Sequence, residues 1–309
     1  MFAKIKNIIS LYSFLRVQGI LFLSTGILLA ASQPHTVIRI SADSLQMVLL
    51  ANVNANYENC HCGEHPLGGL DRVITVIKQW RAKNPELVIA DGGDFLNAYP
   101  YPALDRLVLN LYALIHPNII SLGDQELQIG NRNFQKKIFQ YDFTVLNTNV
   151  IIDSLPELQK RLEIRLKTRQ IDVLTYLDPS AFLWEKRAPN VHLSEAQFKS
   201  TYQKVRTDDA FRIAIFHGER DRLPDFIKRY PQFHLILLAH AQTQMYKNQH
   251  LPWILGPGTD SEYVTRLDLK FSENKKLPAI KLVRTPVELN IKTDPQARER
   301  IDQFLQISK

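Results

Sequence analysis

The chain has 309 residues, of which 45% are hydrophobic, with a formal net charge of +7 and two cysteines. That is enough apolar material for a substantial core without covalent staples, so the cysteines are not needed to hold the fold. The charge is too modest to imply a nucleic-acid partner, and no repeat, low-complexity tract or long Pro/Gly linker marks an internal domain boundary.

Residues 1–32 stand apart. Lys4, Lys6 and Arg16 occur there with no acidic residue, followed by the apolar run ILFLSTGILLAA (20–31) and the small residue Ser32. This is the basic region, apolar region and small-residue exit of a secretory signal. At 12 residues the run is short of the roughly 20 needed to cross a bilayer. The chain is therefore expected to be exported to the periplasm or cell envelope. The segment is either removed near Ser32 or kept as an anchor, and membrane contact is expected only if it is kept. Without its three basic residues the formal charge falls from +7 to +4. Residues 33–309 are expected to form one domain.

Along that domain, five short apolar runs each lead into a residue able to bind metal. QMVLLAN ends at Asn52, LVIADGGD at Asp94, and NIISLGDQE passes through Asp124; FRIAIFH ends at His217 and FHLILLAH at His240. Uninterrupted runs of this kind are strands buried on both faces, as in the centre of a layered α/β fold. Apolar spacing predicts helices over 70–81, 104–115 and 194–206. KRLEIRLKTR (160–169) alternates basic and apolar residues and reads as a strand with a solvated face. In layered α/β folds the carboxyl ends of the strands form the ligand crevice. Any one of these residues alone is ordinary turn or core chemistry. Five together, mixing carboxylate, amide and imidazole, suit Zn, Mn or Fe.

The cysteines fall in ANVNANYENCHCGEHPLGGLDR (51–72), on the loop that leaves the first of these strands. Three readings stay open for Cys60 and Cys62: thiolate metal ligands, with His61 or His65 beside them; a strained, reducible disulfide; or structural residues of a tight loop.

The order of the segments resembles the metallophosphoesterase (calcineurin-like) family in its bacterial 5′-nucleotidase-like branch. The resemblance runs from about 46 to 270. It rests on GGLDRVITVIKQWRAKNPELVIADGGDFLNAYP (68–100), IISLGDQELQIG (119–130), FTVLNTNV (143–150) as the next strand, IFHGERD (215–221), LLAHAQTQ (237–244) and ILGPGTDSEYVTRLDL (254–269). It implies a four-layer α/β/β/α sandwich and metal-dependent hydrolysis of a small phosphate ester. In that family two metals share one aspartate, here Asp94. Asp124 stands for the family's asparagine, and His217 and His240 match the two histidines of the same metal. The other metal is poorly furnished: Asn52-Val53-Asn54 replaces Asp-x-His, Gln242 replaces a histidine, and Gln125 replaces the histidine that assists the leaving group.

One divalent ion is therefore expected on Asp94, Asp124, His217 and His240. A second, on Asp94, Asn52 and Gln242, is poorly compensated unless Cys60 and Cys62 supply thiolates. Glu-x-Cys-x-Cys ahead of Gly-Gly-Leu also resembles a subgroup of exported members. The C-terminal domain of the family's nucleotidases is expected to be lacking, so nucleotide specificity is not expected to carry over. The alternative to an altered phosphoesterase is a catalytically silent relative that binds a metal, a phosphate ligand or a protein.

Overall fold

Strands with continuous apolar sequence need cover on both faces, and the computed structural model supplies it with two stacked sheets between helical layers. It describes residues 35–59, 66–153, 155, 158–182, 186–205, 209–240 and 251–307. The first part of the chain runs β1 (His35–Arg39), β2 (Ser44–Leu50), α1 (Leu70–Lys83), β3 (Val88–Asp91), α2 (Pro102–Ile115) and β4 (Ile119–Ile120). Two short helices follow, α3 (Asp124–Leu127) and α4 (Arg132–Lys137), then β5 (Val150–Ile152), β6 (Arg161–Arg165), β7 (Gln170–Leu177) and β8 (Val191–Leu193). The rest comprises α5 (Glu195–Lys204), β9 (Ala210–His217), α6 (Leu223–Arg229), β10 (Leu235–Leu238), β11 (Trp253–Leu255), β12 (Tyr263–Lys270), β13 (Ala279–Pro286) and α7 (Pro295–Ile307).

One sheet has the order β13-β12-β2-β3-β4 and the other β1-β6-β7-β9-β10-β11. Strands β2, β3 and β4 are mutually parallel, as are β7, β9, β10 and β11. The two-residue period of a strand divides each sequence between two cores. Leu45, Met47 and Leu49 of β2 meet Ile213 and Ile215 of β9 between the sheets. The intervening Val48 and Leu50 pack beneath α1, α2 and α7. Ala214 and Phe216 face outward onto Phe198 of α5 and Phe226 of α6. The result is the α/β/β/α sandwich expected from the sequence. No helix among the described residues is long and apolar enough to cross a membrane.

Two segments differ from expectation. FTVLNTNV does not form a strand before Val150; its pairing is reduced to single bridges at Val145 and Leu146. Asparagine side chains take over the pairing. Asn147 Oδ1 accepts the Leu122 N–H (2.8 Å) while its Nδ2 donates to the Leu122 carbonyl (3.0 Å). Asn149 does the same with the N–H and carbonyl of Leu177, at 2.9 and 2.8 Å. Each amide thus supplies the donor and acceptor that a ladder partner would otherwise give. In 160–169 the polar face is not simply solvated: Glu163 is buried, pairing with Arg161 and Arg165, and Arg161 also reaches Asp172 of β7.

A half-buried titratable contact lies just before β10. His234 Nδ1 accepts the Arg212 N–H (3.0 Å), so this nitrogen carries no proton. Burial, and secondarily the Arg212 charge, lower the His234 pKa from 6.5 to about 4. Between those values the unfolded chain binds a proton that the fold refuses, so this contribution is complete above pH 6.5 and lost as pH falls towards 4. His234→Asn keeps an acceptor for Arg212 without titrating. Urea unfolding at several pH values should show a shallower loss of stability across that window in the variant; an unchanged slope would remove His234 from the acid response.

Candidate metal centre

The parallel strands bring their carboxyl ends to one edge of the sandwich. Asp94 lies on the loop after β3, Asp124 opens α3 after β4, His217 ends β9, and His240 follows β10. One ligand-type atom from each lies within 4.8 Å of all the others. His217 Nε2 is 3.0 Å from Asp124 Oδ1 and 3.3 Å from Asp94 Oδ2. His240 Nδ1 is 3.1 Å from Asp94 Oδ2 and 3.3 Å from Asp124 Oδ1. The five-stranded sheet thus contributes both carboxylates and the six-stranded sheet both imidazoles.

Each imidazole is aimed by its other nitrogen. His217 Nδ1–H donates to the Gly92 carbonyl (2.9 Å), which leaves the Nε2 lone pair to the cluster. His240 Nε2 lies 3.4 Å from Glu219 Oε1. Asp91 shapes the loop beneath: its Oδ1 accepts the Gly93 N–H (2.8 Å) and its Oδ2 the Tyr112 hydroxyl (2.7 Å). Gly93 takes φ +104° to make the turn, a conformation open to glycine. At Gly123 the requirement is space, because a Cβ there would overlap Asp94 Oδ1 and His217 Cε1.

Sequence reading gave no role to Glu126, which is fully buried beside the cluster. Its Oε2 accepts the N–H groups of Gly123 (2.8 Å) and Asp94 (2.9 Å), and its Oε1 that of Leu96 (3.0 Å). The available signal was the spacing Gly123 to Glu126, which places an acidic residue at the third helical position, as in a capping box.

The electrostatics favour opposite charges in contact. Burial works to raise the Asp94 carboxyl, but the imidazoles of His217 and His240 hold it well below the usual carboxylate range. Burial works to lower His217, yet Asp94 and Asp124 push it well above its ordinary value. Against the same burial, Asp124 and Asp94 raise His240 to about 9. Burial, reinforced by the Asp94 charge, pushes Glu126 up to about 8 against its three N–H bonds. Two imidazoliums facing two carboxylates make a neutral cluster, and a divalent ion would replace the two protons at the same charge. Four nitrogen and oxygen donors of this kind, two buried and two partly so, fit one such ion.

Of the residues expected to hold a second ion, Asp94 and Asn52 lie among the described residues. Asn54 Nδ2 donates to Asp260 Oδ1 (2.8 Å), and Asn54 Oδ1 accepts from Gln125 Nε2 (2.8 Å). Both ends of that amide are engaged. Asn52 is buried just after β2, and its Nδ2 has no hydrogen-bond partner among the described residues. Cys60, Cys62, His61, His65, Gln242 and the segment 1–32 lie outside the described residues. The surrounding backbone is unusual: Asn52, Asn54, Ala55, Asp94, Asp260 and Ser261 all have positive φ between 50° and 59°. Non-glycine residues rarely adopt this conformation, and asparagine and aspartate tolerate it best.

Glu126→Gln tests the junction between the loops. It is nearly isosteric, but it replaces one acceptor oxygen by an N–H₂ that faces backbone donors. Chemical denaturation should show a loss of about 1–3 kcal/mol. Glu219→Gln, at a partly exposed position, should leave stability nearly unchanged. Equal effects would mean that the buried acceptors are not what holds the loops.

By sequence, no profile of a known family and no curated protein matches the chain. Solved structures do. A 5′-nucleotidase precursor from Thermus thermophilus superposes with TM-score 0.71 at 15% identity, over 86% of this chain and 59% of that one. A sulfate thiohydrolase, SoxB, from the same organism gives 0.71 at 12% identity, over 87% and 61%. The calcineurin-like phosphoesterase YfkN from Bacillus subtilis gives 0.62 at 16% identity, over 85% and 97%. The chain thus spans about three-fifths of the length of the first two. Likeness at this identity is a statement about architecture: the chain has the metallophosphoesterase fold in its 5′-nucleotidase-like form.

Proposed function

We propose that the chain hydrolyses small phosphate esters in the periplasm or cell envelope, using one divalent ion (Zn, Mn or Fe) held by Asp94, Asp124, His217 and His240. One observation carries this reading: four donors of complementary charge meet within 4.8 Å where strands of both sheets end. An ion bound there supplies Lewis-acid polarisation of a phosphoryl oxygen and a water nucleophile at neutral pH.

The chain's own residues set the rest. The Gly92 carbonyl fixes the His217 tautomer, and Glu126 fixes the loops that carry Asp94 and Asp124. Gln125 offers no proton to a leaving group, a lack that typically costs on the order of 10²–10⁴ in rate. Esters whose leaving oxygen needs no protonation, such as aryl phosphates, are therefore favoured over alkyl ones. A shallow surface hollow of about 630 Å³ is lined by Ser180, Glu219, Arg220, Asp221 and Arg222, and of these Glu219 reaches His240 of the cluster. Nucleotide specificity is not assumed, since two-fifths of the 5′-nucleotidase precursor has no counterpart here.

The amide at position 125 also favours a second reading, a catalytically silent protein that binds a metal, phosphate or a protein partner. Hydrolysis assays separate the two. Metal-loaded protein should cleave p-nitrophenyl phosphate, and Gln125→His should raise the rate most for alkyl esters, by up to about 10²–10⁴-fold. No hydrolysis at full metal content would leave the silent reading.

Elemental analysis tests the centre itself. Cys60→Ser/Cys62→Ser protein should hold about one ion per chain. A second should appear only in reduced wild type, where two thiolates would restore the missing charge. Asp94→Ala should lose its metal, and full content in that variant would overturn the site.

A further inference from the structure

Strand direction fixes which way β1 points. It is parallel to β6, which is antiparallel to β7. Strands β7 and β9 are parallel, and β9 ends at His217 of the cluster. So β1 runs away from the cluster edge of the sandwich, and its first residue, His35, is the one nearest that edge. Only Gln33 and Pro34 lie between His35 and Ser32.

The same edge carries an exposed apolar patch that the metal centre does not use. Tyr99 and Tyr101 follow Asp94 on the loop between β3 and α2, and Tyr99 is 75% exposed. The Gln128 amide donates to the Ala98 carbonyl (2.6 Å), and a Cβ on Gly130 would overlap Pro100, so Ile129, exposed between them, adjoins that loop. From the other side, α7 brings Phe304, whose ring centre lies 6.0 Å from that of Tyr101. One turn further on is Ile307, 82% exposed. The Ile129 N–H donates to the Lys186 carbonyl (2.9 Å), and Lys186 and Arg187 are both exposed. Contiguous apolar surface with a polar rim marks an interaction site. Tyrosine and isoleucine bordered by basic side chains suit a bilayer surface, where amphipathic rings sit at headgroup level and cations attract anionic lipid.

We propose that segment 1–32 is retained as an anchor and that the cluster edge docks on an anionic lipid bilayer through Tyr99, Tyr101, Ile129 and Ile307. The occupant is a membrane rather than a protein because the apolar run 20–31 lies a few residues ahead of the end of β1 that points to this edge. Docking turns Asp94, Asp124, His217 and His240 towards the headgroup layer. The esters within reach are then phosphomonoesters of lipids, such as phosphatidate. That substrate class rests on the phosphoesterase reading; the docking does not.

Spin labels on the full chain, reconstituted in vesicles of phosphatidylcholine and phosphatidylglycerol, read the docking without any turnover. In a Cys60→Ser/Cys62→Ser background, one label is placed by Tyr99→Cys and another by Glu273→Cys. Glu273 is exposed just beyond β12, whose last residue pairs with the start of β2 at the opposite edge. Vesicles should shield the first label from a water-soluble relaxation agent at least about fivefold more than the second. Equal accessibility of the two labels would overturn the docking and leave the patch to a protein partner. Chain isolated from the cell envelope with residues 1–32 removed would overturn the anchor, and the proposal with it. Turnover then tests the substrate class. Tyr99→Ser/Ile129→Ser should slow phosphate release from phosphatidate in vesicles roughly tenfold, while p-nitrophenyl phosphate is cleaved as by wild type. Equal loss on both esters, or loss on neither, would overturn the link between docking and substrate. If metal-loaded wild type cleaves neither ester, the phosphoesterase reading fails and the labels alone decide the docking.

Discussion

Glu126 accepts N–H groups from Asp94 and Leu96 after β3 and from Gly123 after β4, and the geometry of the centre is referenced to that junction. It ties together two loops from neighbouring strands, adding to the Gln125 N–H bond to Asp94, and so helps set the separation of the two cluster carboxylates. Removing a carboxylate from water is costly, and three amide donors are what make its burial tolerable. The same contact explains why Gly123 has no side chain. The turn is drawn so close to Asp94 and His217 that a Cβ would collide with both.

Around this junction the backbone departs from ordinary conformations in three neighbouring loops, at Asn52, Asn54 and Ala55, at Asp94, and at Asp260 and Ser261. Strained backbone of this sort persists only where its surroundings over-determine it. Here the constraint is mutual. Asn52, Asn54 and Ala55 donate their N–H groups to the carbonyls of Gly93, Asp94 and Phe95, and Asp260 donates to the Asn52 carbonyl. Buried apolar layers above and below the five-stranded sheet hold the roots of all three loops.

The sandwich and the four-residue cluster were legible because both leave a one-dimensional trace. A strand covered on both faces is a run of apolar residues, and a strand-end ligand is the polar residue that stops it, as at His217 and Asp94. Glu126 left only a helix-start spacing that many helices share. The contact from Asn54 to Asp260 spans 206 positions and left no trace, because an asparagine and an aspartate in separate loops have no period to betray them. The lost strand at 143–150 misled for a related reason. Phenylalanine, valine and leucine set a strand pattern, while Asn147 and Asn149 replaced backbone pairing with their own amides.

The division of the cluster between the sheets has a consequence for the order of events in assembly. Asp94 and Asp124 belong to one sheet, His217 and His240 to the other, so neither sheet alone holds more than half of the donor set. Contacts this distant in sequence form late in folding. The four donors therefore come together only once the sheets have docked, and an ion bound by all four would have to arrive after that. Choice among ions would then fall to the assembled donor set rather than to competition for an unfolded polypeptide.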